Sequence, residues 1–149
     1  MPLEDSLGAI KKLQDAGKVR FVGLSEVSVD EIKQARKIVD IVSVQNEYNL
    51  GNRKSEAVLE YCEREGLAFI PWFPVAAGKL AQPGGKLDQL ARMHDATVGQ
   101  LSLAWLLHRS PVMLPIPGTS SIEHLEENMK AAHLTLSDTE WKELETAAK

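Results

Sequence analysis

Four times along the chain an apolar run rich in β-branched residues stops at a polar or glycine-rich cluster and gives way to a helical pattern. The clusters are Gly23-Leu24-Ser25, Gln45-Asn46-Glu47-Tyr48-Asn49, Pro71-Trp72-Phe73-Pro74 with Ala77-Gly78-Lys79, and Pro117-Gly118-Thr119-Ser120-Ser121. A strand that returns through a helix runs parallel to its predecessor, and the crossover is right-handed in nearly all cases, so repetition of this unit forces a parallel sheet. In parallel sheets the ligand meets the carboxyl ends of the strands, where loops offer amides and side chains. The polar clusters fall at those ends.

Residues Glu4 to Ala16 place Leu7, Ile10 and Leu13 on one helical face, with Gly17 as the stop. The first strand is expected from Val19 to Leu24. Ser28 with Glu31 forms a capping box for a helix burying Ile32, Ala35 and Ile38, and Ile41 to Gln45 is the second strand. Ser55 can cap a helix carrying Val58, Leu59 and Cys62 that ends at Gly66. The third strand, Leu67 to Ile70, is wholly apolar, as expected if both of its faces are covered. Residues Ala76 to Lys86 read as a long loop rich in Gly and Pro, followed by two helices. The second of these, Thr97 to His108, sets Leu101, Ala104, Trp105 and His108 on one face. A short fourth strand is expected at Val112 to Leu114. Ser120 with Glu123, and Ser137 with Glu140, signal the last two helices, the final one anchored by Trp141 and Leu144.

With 149 residues and no linker the chain reads as a single domain, a size at which folding hides about 68–70% of the unfolded surface. Its net charge is -4 and its basic residues are scattered along helices, so the stripe that a phosphate backbone requires is missing and nucleic acid is not an expected partner. No apolar stretch approaches the roughly 18 to 20 residues of a membrane span, and the start Met1-Pro2-Leu3-Glu4-Asp5 is not that of a secretory signal. One cysteine, Cys62, sits at helical spacing from Val58 and Leu59, which suits a small buried side chain and a reducing compartment. A cytoplasmic location is expected.

The phrases Gly17-Lys18-Val19-Arg20-Phe21-Val22-Gly23-Leu24-Ser25, Val44-Gln45-Asn46-Glu47-Tyr48-Asn49 and Gly66-Leu67-Ala68-Phe69-Ile70-Pro71-Trp72-Phe73-Pro74 resemble the aldo-keto reductase family. So does Pro115-Ile116-Pro117-Gly118-Thr119-Ser120-Ser121-Ile122-Glu123-His124-Leu125-Glu126-Glu127-Asn128. The resemblance runs through the whole chain, in order, but only to the second half of the family's TIM (β/α)8 barrel, which typically takes about 250 residues. The fold class it implies is α/β: a half-barrel of about four parallel strands with flanking helices. The family reduces aldehydes and ketones by hydride transfer from a nicotinamide cofactor, usually NADPH, without a metal. By the same resemblance its catalytic Asp, Tyr, Lys and His lie in the first half, so no catalytic residue is expected here. The only tyrosines, Tyr48 and Tyr61, are not in the family's proton-donor context.

The resemblance implies that this half binds cofactor. Ser25 and Gln45 correspond to residues that hold the nicotinamide carboxamide, although Glu26 stands where the family commonly has asparagine. Trp72 corresponds to the aromatic that stacks on the nicotinamide, the alternative being plain core packing. Phe73, Val75, Ala76, Gly78 and Lys79 correspond to the loop around the pyrophosphate, where small residues let amides approach an anion. Gly118, Thr119 and Ser120 lead into a helix whose N-terminus suits the adenosine-side phosphate. His124 stands where the family often has the arginine that grips a 2′-phosphate, and Glu127 and Asn128 correspond to adenine contacts. An imidazole holds phosphate less firmly than a guanidinium, so NADP is expected while NAD stays open, with weak binding by the half alone. Expected partners are the cofactor and either the missing N-terminal half or a second copy. A homodimer could close a barrel as a structural module without catalysis.

Overall fold

The Ser28-x-x-Glu31 signal is realised in full in a computed structural model that describes residues 3–75 and 83–147. Ser28 Oγ accepts from the Glu31 amide at 3.3 Å while the Glu31 carboxylate accepts from the Ser28 amide at 2.7 Å. Two donors that a helix start leaves without partners are thereby satisfied. The helix α2 (Val29–Ala35) follows α1 (Leu3–Asp15) and β1 (Val22–Ser25). Next come β2 (Ile41–Glu47), α3 (Glu56–Glu65) and β3 (Ala68–Trp72). The helices α4 (Lys86–Met93), α5 (Val98–Arg109), α6 (Ile122–Lys130) and α7 (Asp138–Ala147) complete the order, with a 3-10 turn at Ala131–His133. Gly66 ends α3 in the left-handed conformation, φ 66°, and its amide returns to the Cys62 carbonyl.

The strands form an open parallel sheet in the order β1-β2-β3. Ser25 lies beside Gln45, Gln45 beside Ile70, and Glu47 beside Trp72, so β2 and β3 end level while β1 stops two residues short of them. A bulge at Val42 lets β2 present Ile41 and Val44 to the same side. Gly23 lies opposite Ser43, and a Cβ there would run into Ser43 Oγ. Burial alternates along β3, with Phe69 and Pro71 in the core and Ala68, Ile70 and Trp72 half-exposed. The helices therefore cover one face of the sheet, and the expectation that β3 is buried on both faces is not met.

The expected fourth strand is reduced to a bridge. Phe69 donates to the Val112 carbonyl and accepts from the Leu114 amide, both at 2.8 Å, and pairing stops there. The next residue of β3 that faces this edge is Pro71, which has no N–H, and Pro115 and Pro117 lack donors on the other side.

The main core lies between the covered sheet face and α3, α5 and α7, around Val44, Tyr48, Leu59, Phe69, Leu101, Trp105 and Leu144. A second, smaller core joins Leu7 of α1 to Val22, Ala35, Val39 and Ile41. Leu13, expected on the buried face of α1, is exposed. The helix α5 is buried nearly all round, Val98 and Leu101 to Leu106 included, because α4, α6 and the 3-10 turn pack on it from different sides. His108, expected on its buried face, is instead exposed and stacks on the Trp141 ring at 4.1 Å. Cys62 is buried on α3, and burial pushes its thiol up to about 11, so it stays protonated and inert at neutral pH. Ser55 stands at the expected N-cap of α3, but its side chain makes no capping bond.

The Ser137 capping box is present, and its Glu140 also meets His94 Nε2 at 2.8 Å, which ties α7 to the end of α4. The Ser137 hydroxyl and amide, then His94, hold the Glu140 carboxyl down at about 2. A carboxyl with a depressed folded-state pKa stabilises the fold above its unfolded value of 4.5, and the contribution is lost as pH falls toward about 2. Urea midpoints should therefore fall more steeply between those pH values in the native chain than in Glu140→Gln. Parallel pH profiles of the two proteins would contradict this role.

Candidate functional site

The structure places the sequence-derived residues in two neighbouring groups. The first lies at the carboxyl ends of the strands. Ser25 ends β1 and is exposed, Gln45 beside it is half-buried, and Trp72 ends β3 with its indole half-exposed. Phe73 follows with φ 59°, a left-handed backbone that an aromatic residue rarely takes. Its carbonyl accepts from Asn49 Nδ2 at 3.2 Å, and its ring meets that of Trp72 at 6.1 Å and 55°. Strain held by a buried asparagine at a strand exit is the kind of outlier that collects at ligand sites.

The second group lines a cleft of about 210 Å³. Val75 closes it from the β3 side, Gly118 and Thr119 from the approach to α6, and His124, Glu127 and Asn128 from the first turns of α6. Ser120 is not in the lining, and Ala76, Gly78 and Lys79 lie outside the described residues. Pro117 and the start of α5 complete the wall, and of these Thr97, Val98, Gly99 and Ser102 are site residues that the sequence reading missed. The signal was visible in Thr97-x-x-Gln100. Thr97 Oγ1 accepts from the Gln100 amide at 3.1 Å, and Gln100 Oε1 accepts from the Thr97 amide at 2.9 Å.

The cap of α6 is shifted by one residue from the expected Ser120. Ser121 Oγ accepts from the His124 amide at 3.3 Å, while Thr119 Oγ1 accepts from the Ser121 amide at 3.1 Å. The threonine closes a small turn over Ser121 and so moves the N-cap onto it. Gln100 Nε2 donates to the Glu127 carbonyl at 2.8 Å, which locks α6 to α5.

The start of α5 therefore faces the cleft, while α6 lines it with one side of its first turns, His124, Glu127 and Asn128. The amides of Val98 and Gly99 have no intrahelical acceptor, since the helix bonds begin with Leu101 donating to the Thr97 carbonyl. Each helix start carries about half a positive charge. At Gly118 a Cβ would meet nothing within 4 Å, so the backbone there is open to a close approach. This donor set suits a phosphate group, and the His124 imidazole adds a ring N–H to the wall. The exposed carboxylates Glu123, Glu126 and Glu127 on α6 oppose a high net charge on the ligand.

Among the described residues no group of three or more His, Cys, Asp and Glu is placed to hold a metal ion. Neither tyrosine lines the cleft. The Tyr48 hydroxyl donates to Glu56 at 2.5 Å inside the core, and the Tyr61 hydroxyl accepts from Arg36 at 3.1 Å.

Comparison with known proteins gives the family. Residues 1–149 match the Aldo/keto reductase family, to which the chain belongs. It is 52% identical over 149 residues to an uncharacterised oxidoreductase of Schizosaccharomyces pombe, covering 100% of this chain and 49% of that protein. It is 43% identical over 136 residues to pyridoxine 4-dehydrogenase of Escherichia coli, covering 91% and 47%. An aldo/keto reductase of Klebsiella pneumoniae solved in complex with NADP and acetate superposes with a TM-score of 0.88 at 30% identity, over 98% of this chain and 54% of that one. The same scores and coverage hold for the Klebsiella enzyme in complex with NADPH. The chain spans about half the length of the curated relatives it matches. Its three parallel strands and their helices correspond to about half of these (β/α)8 barrels.

Proposed function

We propose that this aldo/keto reductase chain is the C-terminal, cofactor-binding half of an NAD(P)H-dependent carbonyl reductase, inactive until its barrel is completed. The reading places the nicotinamide carboxamide at Ser25 and Gln45 and the nicotinamide ring on Trp72. The pyrophosphate follows the chain from Phe73 and Val75 through Ala76, Gly78 and Lys79. The adenosine-side phosphate enters the cleft bounded by Gly118, Thr119 and His124, with Ser120 in the adjoining turn and Glu127 and Asn128 toward the adenine. One observation supports most of this: residues from three separate stretches, 75, 97–102 and 117–128, meet around a single cleft that the start of α5 faces.

A bound nicotinamide supplies or accepts the hydride. This chain's own residues orient it: strand ends fix the carboxamide, the indole covers one ring face, and the helix amides hold the phosphates. The cleft of about 210 Å³ is smaller than the roughly 300–1,000 Å³ of a complete small-molecule site, so affinity in the isolated chain should be low. The free, buried Cys62 thiol is in keeping with a reducing cytoplasm.

His124→Arg should strengthen NADPH relative to NADH by about fivefold, since a guanidinium grips phosphate in two bonds and stays charged. Calorimetric titration of both cofactors reads this ratio. An unchanged ratio would remove His124 from the 2′-phosphate site, and no binding of either cofactor at millimolar concentration would overturn the reading.

A second reading, a structural module that pairs with its own copy, is favoured by the sheet's open edges. Phe21 beside β1 is 64% exposed, and Leu114 at the bridged edge is 56% exposed. Unpaired apolar edges of a parallel sheet invite another chain.

A further inference from the structure

We propose that Glu26 is a positioning residue, whose side chain ties the ends of the three strands together and fixes the plane of the Trp72 indole. The functional part rests on the reading above that the nicotinamide lies on Trp72.

Glu26 directly follows β1 and takes φ 52°, a left-handed conformation with a cost of order 1–3 kcal/mol for a residue with a side chain. Its neighbours hold it there. The Glu26 amide donates to the Gln45 carbonyl at 2.9 Å. Beyond it, the buried Asn46 clasps Val27 by both backbone groups, accepting from its amide at 3.1 Å and donating to its carbonyl at 2.8 Å. The turn after β1 is thereby fastened to β2, and the strained backbone aims the Glu26 side chain across the strand ends.

One oxygen then makes both contacts. Glu26 Oε1 accepts from Trp72 Nε1 at 2.6 Å and from the Glu47 amide at 2.7 Å. Bonds to an ionised acceptor are shorter and roughly twice as strong as neutral ones. A tryptophan side chain turns about two torsions, and a bond at Nε1 with the Phe73 ring at 6.1 Å restrains both. The charged groups around Glu26 come from β2 and the loop after it. Lys54 pairs with the Glu47 carboxylate at 2.7 Å and favours the charged form of Glu26, whereas Glu47 itself is a like charge. The Trp72 indole first, then the Glu47 amide, hold the Glu26 carboxyl below its usual range, outweighing burial. A depressed carboxyl keeps its bonds at neutral pH and loses them as pH falls below the ordinary carboxylate range.

Nitrogen-15 NMR of the tryptophan indoles in the whole 149-residue chain tests this, with the Trp72 signal assigned by its loss in Trp72→Phe. In the native chain the Trp72 Nε1–H should resonate downfield, exchange slowly, and shift in a single acid step. Glu26→Gln keeps an oxygen that can accept both bonds, so the signal should stay in place at neutral pH while the acid step disappears. Glu26→Ala should move it upfield with fast exchange at every pH. Titration with NADP+ should show Glu26→Ala weaker by about fivefold, the scale of one exposed charged contact, and Glu26→Gln within about twofold of the native chain. An indole signal unmoved in Glu26→Ala, or an acid step that survives in Glu26→Gln, would overturn the clamp. Unchanged NADP+ affinity in a Glu26→Ala chain whose indole has been released would overturn its role at the cofactor. If the native chain itself fails to bind NADP+, the cofactor reading falls, and the indole spectra still decide whether Glu26 holds Trp72.

Discussion

Trp105→Ala should leave the chain close to unfolded at room temperature. The ring is 1% exposed and lies at the centre of the larger core. It stacks on Tyr48 at 5.7 Å and 16°, and Tyr48 in turn meets Phe69 edge-on at 5.8 Å. On its other side the Arg53 guanidinium lies 4.6 Å from the ring centre, and the indole N–H donates to Glu145 of α7 at 3.1 Å. Trp105 thus joins α5 to α7 and, through Tyr48, to Phe69 of β3. Emptying such a site costs about 3–5 kcal/mol, and a lost aromatic pair adds about 0.5–1.5 kcal/mol. A domain's whole stability is only about 5–15 kcal/mol. Urea unfolding followed by circular dichroism should show the midpoint collapse in Trp105→Ala. Trp105→Phe, which keeps a ring but loses the bond to Glu145, should hold a cooperative transition at a lower midpoint. A loss below about 1 kcal/mol in the alanine variant would mean that the site refills and that the stack does not organise the core.

What could be read from sequence was the local chemistry. Ser28 with Glu31 and Ser137 with Glu140 each satisfy their donors within four residues, so nothing distant can overrule them. Gly66 is set by a conformation that most other residues avoid. Ile32 and Ala35 follow a helical period and are fully buried. The fourth strand failed because hydrogen bonding alternates along a strand: Phe69 and Pro71 face the same edge, and only one of them can donate. The proline was visible, but which edge it faced depended on tertiary register.

The site divides along the same line. Gly118, Thr119, His124, Glu127 and Asn128 sit on one continuous stretch, and the structure gathers them with Val75 around the cleft. Val98 and Gly99 went unnoticed as cleft residues because their part comes from the meeting of α5 with α6, fixed by Gln100 holding the Glu127 carbonyl. Glu26 read as a departure at a polar position. Its bonds reach 21 and 46 residues along the chain, to Glu47 and Trp72, beyond any local pattern.

Supplying the other half of the barrel should change the chain from no measurable NADPH-dependent carbonyl reduction to turnover. Reduction needs a proton for the developing alkoxide, and a placed general acid contributes about 10²–10⁴ in rate. Neither tyrosine lines the cleft. Tyr48 is buried with its hydroxyl committed to Glu56, and burial first, then Glu56, push its pKa upward. Tyr61 is held by Arg36 on the helix side of the sheet. Among the described residues Phe21 and Leu114 are exposed at the two edges of the sheet, which motivates the expectation that a complementary half-barrel pairs there, or a second copy with each β1 meeting the other chain's 112–114 edge around a two-fold axis. Sedimentation and carbonyl-reduction assays, with and without a separately expressed first half of the Schizosaccharomyces pombe relative, test both expectations. Alone, the chain should sediment as a homodimer without turnover; with the added half it should form a one-to-one complex that consumes NADPH. A monodisperse monomer of 16.4 kDa with a cooperative unfolding transition would show that the edges need no partner. Turnover by the chain alone that persists in Tyr48→Phe combined with Tyr61→Phe would show that another group delivers the proton and that this half is an enzyme in its own right.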